Sequence, residues 1–268
     1  MPEGDSVYQL SKRLQFMRGR DVLATSLRVP SVALEKFDGQ RVSRVWPYGK
    51  HLFMQFSGGK VLHTHLKMEG TWSVHLQGEK WRKPGHKARV VLVLDDSPAP
   101  IEIVGFDLGL VEVFPIEQYS DRMGYLGPDV LYPDWDSYGR DEALRRILET
   151  PNRPIGSALL DQKNLAGVGN EYRAEICFLA GVHPATPVAA VDVPRILDIT
   201  RRIMWANRNS PIRVTTGVRR AGENSYVFGR HGRPCRRCGT PIRKSTLQSS
   251  PDELERIIWW CPSCQLLT

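Results

Sequence analysis

Residues 6–18 place Val7, Leu10, Leu14 and Met17 at helical spacing, with Lys12, Arg13 and Arg18 off that stripe. An amphipathic helix with one buried face is expected there. From Asp21 to about Phe114 the pattern shortens into β-rich runs divided by turn residues: 21–29, 41–56, 60–66, 88–96 and 101–114. Such spacing predicts an antiparallel sandwich or barrel. Ser57-Gly58-Gly59-Lys60 reads as a hairpin link and 77–86 as an exposed loop. Residues 124–140, rich in Gly, Pro, Asp and Tyr, read as a hinge. Beyond them the period returns to 3.6, predicting helices over 142–149, 155–162, 170–180 and 194–207. Gly167 and Gly169, just ahead of the third of these, read either as a plain turn or as an approach to a helix N-terminus with free N–H groups, a place suited to phosphate. The fold class is α+β: strands first, helices second.

Composition adds a direction. The 268 residues carry 37 Lys and Arg against 29 Asp and Glu, a formal charge of +8. From Pro211 onward there are ten basic residues and four acidic ones. A basic tail of this kind is either a solvated surface or the footprint of a polyanion. No stretch approaches the roughly 18 apolar residues of a membrane span, and the first 20 residues carry six charges where a signal peptide would be apolar. A cytoplasmic protein that acts without a membrane is expected, and nothing in the chain demands an oligomer.

Four of the five cysteines form two Cys-x-x-Cys knuckles, Cys235/Cys238 and Cys261/Cys264, separated by 22 residues. Each knuckle can grip one edge of a tetrahedral ion, and the intervening length suffices for a hairpin, so a structural Zn²⁺ is expected. Cys177, among Ile176, Phe178 and Leu179, reads as a buried hydrophobe.

The start of the chain carries the sharpest chemistry. Pro2 follows the initiator methionine, and removal of Met1 leaves a secondary amine that titrates about two units below a lysine. A neutral amine attacks an anomeric carbon to form an iminium. Glu3 beside it could supply the proton that opens the sugar ring.

Taken in order, Pro2-Glu3, Tyr48-Gly49-Lys50-His51-Leu52, Asp161-Gln162-Lys163, Gly167-Val168-Gly169-Asn170, Gly181-Val182-His183-Pro184, Gly229-Arg230, Thr240-Pro241-Ile242 and Trp260-Cys261-Pro262-Ser263-Cys264-Gln265 resemble the formamidopyrimidine-DNA glycosylase and endonuclease VIII family along the whole chain. The resemblance implies a β-sandwich with a flanking helix, then a helical bundle with a helix-two-turn-helix motif and a four-cysteine zinc finger. It divides the chain into a catalytic domain at 1–123, a linker at 124–140, a helical domain at 141–228 and the finger at 229–268. It implies a monomeric glycosylase and abasic-site lyase of base excision repair, working in the cytoplasm on the nucleoid. Damaged double-stranded DNA would be the partner, one structural Zn²⁺ the cofactor, and β,δ-elimination at a Pro2 Schiff base the cleavage step.

By position, Pro2, Glu3 and Lys50 carry the catalytic roles in this resemblance. His65, Asn170 and Arg256 would meet the DNA backbone, and Met68 would fill the gap left by a flipped base. Two departures from the formamidopyrimidine branch point toward endonuclease VIII and oxidised pyrimidines. Gly105 to Val111 lacks an Arg/Phe pair, and the 216–229 segment is short. Gly4 points the same way. Ser6 stands where a second glutamate is usual, and Phe228 where the formamidopyrimidine branch has a tyrosine. Two competing readings need no Schiff base: a DNA-binding protein that recognises damage without cutting, and an RNA-binding zinc ribbon, for which stacking aromatics on an open sheet are expected.

Overall fold

In the computed structural model, which describes residues 2–248 and 254–267, the chain folds as two compact units. Met1–Pro2 and Ser6–Tyr125 make the first; Glu3–Asp5 and Leu126–Thr268 make the second.

The first helix is α1 (Gly4–Arg13), which belongs to the first unit from Ser6 onward and whose stripe of Val7, Leu10 and Leu14 is buried as expected. The predicted helix to residue 18 is shorter in fact. Leu14 leaves the α conformation and Gln15–Met17 form a 3₁₀ turn, while the Gln15 side chain donates to the Ser11 and Val45 carbonyls. Tightening the last turn in this way is a common helix ending.

Eight strands follow: β1 (Val22–Leu27), β2 (Val42–Tyr48), β3 (His51–Phe56), β4 (Lys60–His65), β5 (Thr71–Leu76), β6 (Ala88–Leu94), β7 (Ile101–Phe106) and β8 (Leu110–Pro115). They form two antiparallel sheets, ordered β1-β6-β7-β5 and β2-β3-β4-β8. One core is shared by both, with Val90, Leu92, Leu94 and Ile103 from the first sheet, Leu52, Met54, Phe56 and Leu62 from the second, and the α1 stripe. The unit is therefore a sandwich. The other face of the second sheet is also covered, by Tyr119 at the start of α2 (Tyr119–Met123), whose ring lies 5.1 Å from Phe53 and 5.6 Å from Trp46. That is why β3 reads as a nearly continuous apolar run rather than an alternating one. Strand β5 escapes the sequence pattern because it is an edge strand with a mostly exposed or half-buried profile, pairing only with β7.

The second unit holds α3 (Arg140–Leu148), α4 (Ile155–Leu160), α5 (Asn170–Ala180) and α6 (Val193–Asn207). Residues 126–140, expected as a linker, belong to this unit, with Val130, Leu131 and Trp135 buried and a π-helical turn over Trp135–Gly139. Apolar residues within that Gly- and Pro-rich stretch outweigh its turn chemistry. The α5 helix ends on Gly181, whose φ of +75° is the left-handed cap that favours glycine. The finger contributes a two-stranded hairpin, β9 (Arg243–Leu247) and β10 (Arg256–Trp260). No helix among the described residues is long and apolar enough to cross a membrane.

Candidate active site and nucleic-acid interface

Pro2 is half-buried and lines a cleft of about 390 Å³ in the first unit, with Ser6, Thr71, Trp72, Ser73 and Arg82 among its walls. The Met1 that would have to be removed lies outside the described residues.

Glu3 is fully buried in the second unit. Its carboxylate accepts from the backbone N–H groups of Gly169 (2.6 Å), Glu171 (2.9 Å) and Tyr172 (3.4 Å). These are donors at the start of α5, the groups a helix leaves unsatisfied. The helix N-terminus, for which the sequence left open a plain turn or a place for phosphate, is thus occupied by a side chain of the same protein. Two close approaches make this fit. Gly4 N–H donates to the Gly167 carbonyl at 2.9 Å, and a Cβ on Gly169 would sit 2.3 Å from the Glu3 carboxyl carbon. Three N–H groups aimed at the Glu3 carboxylate favour its charged form against the cost of burial.

Ser6 does not supply a second carboxylate, but Asp5 does. It is buried and accepts from the Tyr172 hydroxyl at 2.9 Å. Burial, then the Asp5 charge, pushes the Tyr172 hydroxyl's proton affinity far up, so it remains a donor.

Lys50 sits on the turn from β2 to β3, which needs Gly49 at φ +55°. Register places His51 opposite His65, and their rings meet edge to face at 4.8 Å. His65 Nδ1 accepts from the Lys67 N–H at 2.9 Å, which leaves the ring proton on Nε2. Behind them runs a chain that the sequence did not reveal: His51 Nδ1 to His63 Nε2 at 2.8 Å, and His63 Nδ1 to Glu112 at 3.0 Å. Burial holds all three histidines neutral, pushing His51 and His65 down to about 3 and His63 down to about 4. Met68 stands at the tip of the β4–β5 turn with 63% of its surface exposed. A solvated methionine there does not serve the core.

In the second unit Asn170 is the first residue of α5, and its side-chain amide donates to the Ile257 carbonyl at 3.1 Å. Arg173 donates to the same carbonyl at 2.6 Å and also bonds Asn170. Arg256, exposed on β10, is the neighbour of Ile257, so Asn170 and Arg256 lie together although 85 residues separate them. Arg173 is almost fully buried, and burial lowers its pKa to about 10. Glu175 is another residue that sequence reasoning missed. Its buried carboxylate accepts from the backbone of Tyr226, Val227 and Phe228 and from Thr215, fastening the 215–228 segment to α5. Burial raises its proton affinity and those donors oppose the rise. A carboxylate beside Ile176, Cys177 and Phe178 was the available signal.

The thiol sulfurs of Cys235, Cys238, Cys261 and Cys264 lie within 4.8 Å of one another. A tetrahedral ion with metal–sulfur bonds near 2.3 Å would space its sulfurs roughly 3.8 Å apart, and the Cys238–Cys261 and Cys238–Cys264 separations are 3.4 and 3.5 Å. Gly239, at φ +78°, lets the first knuckle close on itself, its N–H meeting the Cys235 carbonyl. Gln265 closes the second by accepting from the Cys261 N–H, and its amide reaches the Val182 carbonyl just past α5. The donor set therefore fits a metal ion.

Two family models match the chain: the formamidopyrimidine-DNA glycosylase N-terminal domain over residues 1–102 and the H2TH domain of that glycosylase over 126–209. A probable endonuclease 8 2 of Streptomyces coelicolor is 40% identical, covering 99% of this chain and 94% of that protein. A DNA-(apurinic or apyrimidinic site) lyase Nei2 of Mycolicibacterium smegmatis is 40% identical, with 99% of each chain covered. Among solved structures, the formamidopyrimidine-DNA glycosylase of Lactococcus lactis in complex with DNA containing N7-benzyl-Fapy-dG aligns with a TM-score of 0.80 at 21% identity, covering 99% of this chain and all of that one.

Proposed function

This chain belongs to the formamidopyrimidine-DNA glycosylase and endonuclease 8 family, and we propose that within it the protein is a bifunctional DNA glycosylase and abasic-site lyase acting on oxidised pyrimidines in duplex DNA. The observation that carries the reading is the pairing of Pro2, open to a cleft, with a Glu3 carboxylate clamped against the start of α5. The Pro2 nitrogen attacks the anomeric carbon and the bond to the base breaks, the base leaving with a proton from solvent; the nitrogen's own proton passes through Glu3 to O4′ as the C1′–O4′ bond breaks, which opens the sugar ring and leaves the iminium. Loss of the sugar's C2′ proton from the resulting iminium expels the 3′ phosphate, and a second elimination expels the 5′ phosphate. Glu3, ionised at rest, opposes the positive charge that develops on the nitrogen and can take and return a proton.

The rest of the chain holds and deforms DNA. Asn170 and Arg256 engage phosphates, the arginine through its planar fork. Lys50 and the Nε2–H of His65 meet the backbone flanking the damaged nucleotide. Met68 enters the stack as the base is extruded, a step costing a few kcal/mol. Zinc, held by Cys235, Cys238, Cys261 and Cys264, is structural: four protein ligands leave no position for water. Its role is to fix the hairpin that carries Arg256. A monomer acting on chromosomal DNA in the nucleoid satisfies this chemistry.

The test is borohydride trapping on duplexes carrying thymine glycol or an abasic site, with the intact mass of the same preparation measured. A covalent adduct at Pro2 is expected, lost in Pro2→Gly while DNA affinity persists. No adduct from a trimmed, zinc-loaded protein would leave a DNA-binding protein that does not cut.

A further inference from the structure

Arg213 lies in the irregular segment after α6 and is braced from both sides. Val214 exchanges two hydrogen bonds with the Asn207 side chain, and Asn224 donates to the Arg213 carbonyl. Its guanidinium lies 4.5 Å over the Tyr172 ring and reaches three carboxylates. It forks onto Asp5, Nε to Oδ2 at 2.9 Å and Nη2 to Oδ1 at 2.5 Å, while Nη1 donates to Glu171 at 2.6 Å and stands 3.6 Å from Glu3. The Arg213 side chain is 10% exposed, Asp5 3% and Glu3 not at all. One guanidinium therefore answers three negative charges in a place that water scarcely reaches.

We infer that Arg213 and Asp5 are positioning residues that set the charge state of Glu3 in the reaction proposed above. Arg213 attracts the Glu3 carboxylate and Asp5 repels it, so the two act on its proton affinity with opposite sign. The fork explains how the opposition is kept in balance. Asp5 takes two of the guanidinium's N–H groups, the Tyr172 hydroxyl donates to the Asp5 Oδ2 that also accepts from Arg213 Nε, and the remaining edge of Arg213 faces Glu171 and Glu3. Other groups around Glu3 complete its electrostatics. Tyr172 and Arg173 follow on α5, and the buried Asp129 lies behind Gly167, whose carbonyl receives the Gly4 N–H. The Pro2 amine is one peptide unit away, and it senses the same charges with the same sign.

This inference rests on the glycosylase and lyase reading, so wild-type trapping comes first. The experiment follows the single-turnover rate of borohydride trapping on a preformed abasic duplex as a function of pH, for wild type, Arg213→Met, Arg213→Lys and Asp5→Asn. Removing the positive charge raises the proton affinity of Glu3 and of the Pro2 amine alike. The acid limb for Arg213→Met should therefore move up by about one pH unit, a tenfold loss of rate at fixed pH on that limb. Asp5→Asn removes a negative charge at constant shape, and its limb should move down. Arg213→Lys keeps the charge without the fork and should restore the wild-type limb position. A merely structural role lowers the plateau of each variant without shifting limbs in opposite directions. Coincident limbs, or limbs shifted the same way, would overturn the assignment. If Arg213→Met fails to fold, Asp5→Asn decides alone, a downward shift supporting the inference and an unmoved limb refuting it. No adduct from wild type would instead refute the underlying function.

Discussion

Gly169→Ala tests whether Glu3 must sit against α5. The added Cβ would lie 2.3 Å from the Glu3 carboxyl carbon and 2.6 Å from both its Cγ and one carboxylate oxygen. Carbon atoms in contact prefer about 3.5–4.0 Å, so the carboxylate must retreat by more than about 1 Å. The 2.6 Å bond from the Gly169 N–H and the 2.9 Å bond from the Glu171 N–H cannot both survive that movement. Hydrogen bonds to a charged group contribute roughly 1.5–3 kcal/mol each, and because the site is buried little is recovered from water. A loss of about 3 kcal/mol in stability is expected. Trapping on an abasic duplex should slow by about a hundredfold, the equivalent of 2.7 kcal/mol in the barrier. Backbone strain contributes little, since Gly169 has φ −121°, open to any residue. Gly181→Ala is the control: its φ is +75°, its nearest neighbour to a new Cβ is 3.7 Å away, and it should cost about 1 kcal/mol without touching the rate. Urea unfolding and single-turnover trapping on both variants give the two numbers. A Gly169→Ala protein with wild-type trapping would refute the claim that the Glu3 position matters.

Other outcomes follow from the same geometry. Met68→Ala, at a 63% exposed position, should leave stability within about 0.5 kcal/mol yet slow base excision from a paired duplex about tenfold; equal excision rates would remove Met68 from the extrusion step. Metal chelation should release the hairpin bearing Arg256 and weaken DNA binding by a factor of about 10–100, the value of one charge-assisted contact; unchanged affinity with metal absent by elemental analysis would count against a structural ion. His51, His63 and His65 have folded pKa values below the ordinary 6.5. The unfolded chain therefore binds more protons between about pH 6.5 and 3, and the stability present above that window falls as pH drops through it. Replacing the buried His63 by Phe, beside Phe53 at 4.6 Å, should flatten that slope in urea titrations; an identical slope would contradict a neutral buried histidine.

The α1 stripe, seven of the eight sandwich strands, the four large helices and the two cysteine knuckles were legible in the sequence because each is a local pattern of spacing or period. So was α5, bounded by glycines at both ends. The β5 strand was not, because an edge strand buries too little to show a period, and neither was α2, whose Tyr119 covers a sheet face that only the fold creates. What tertiary structure alone decided is the electrostatics. Glu3 becomes a buried acceptor because residues 169–172 bring their N–H groups to it across more than 160 positions of chain. Asp5 becomes a second buried carboxylate because Arg213 and Tyr172 meet it there, and Asn170 joins Arg256 because both flank one carbonyl of β10. Periodicity records which residues are buried. The proton affinity of a buried group depends on which donors and charges the fold brings within a few ångströms, and those lie far away in sequence.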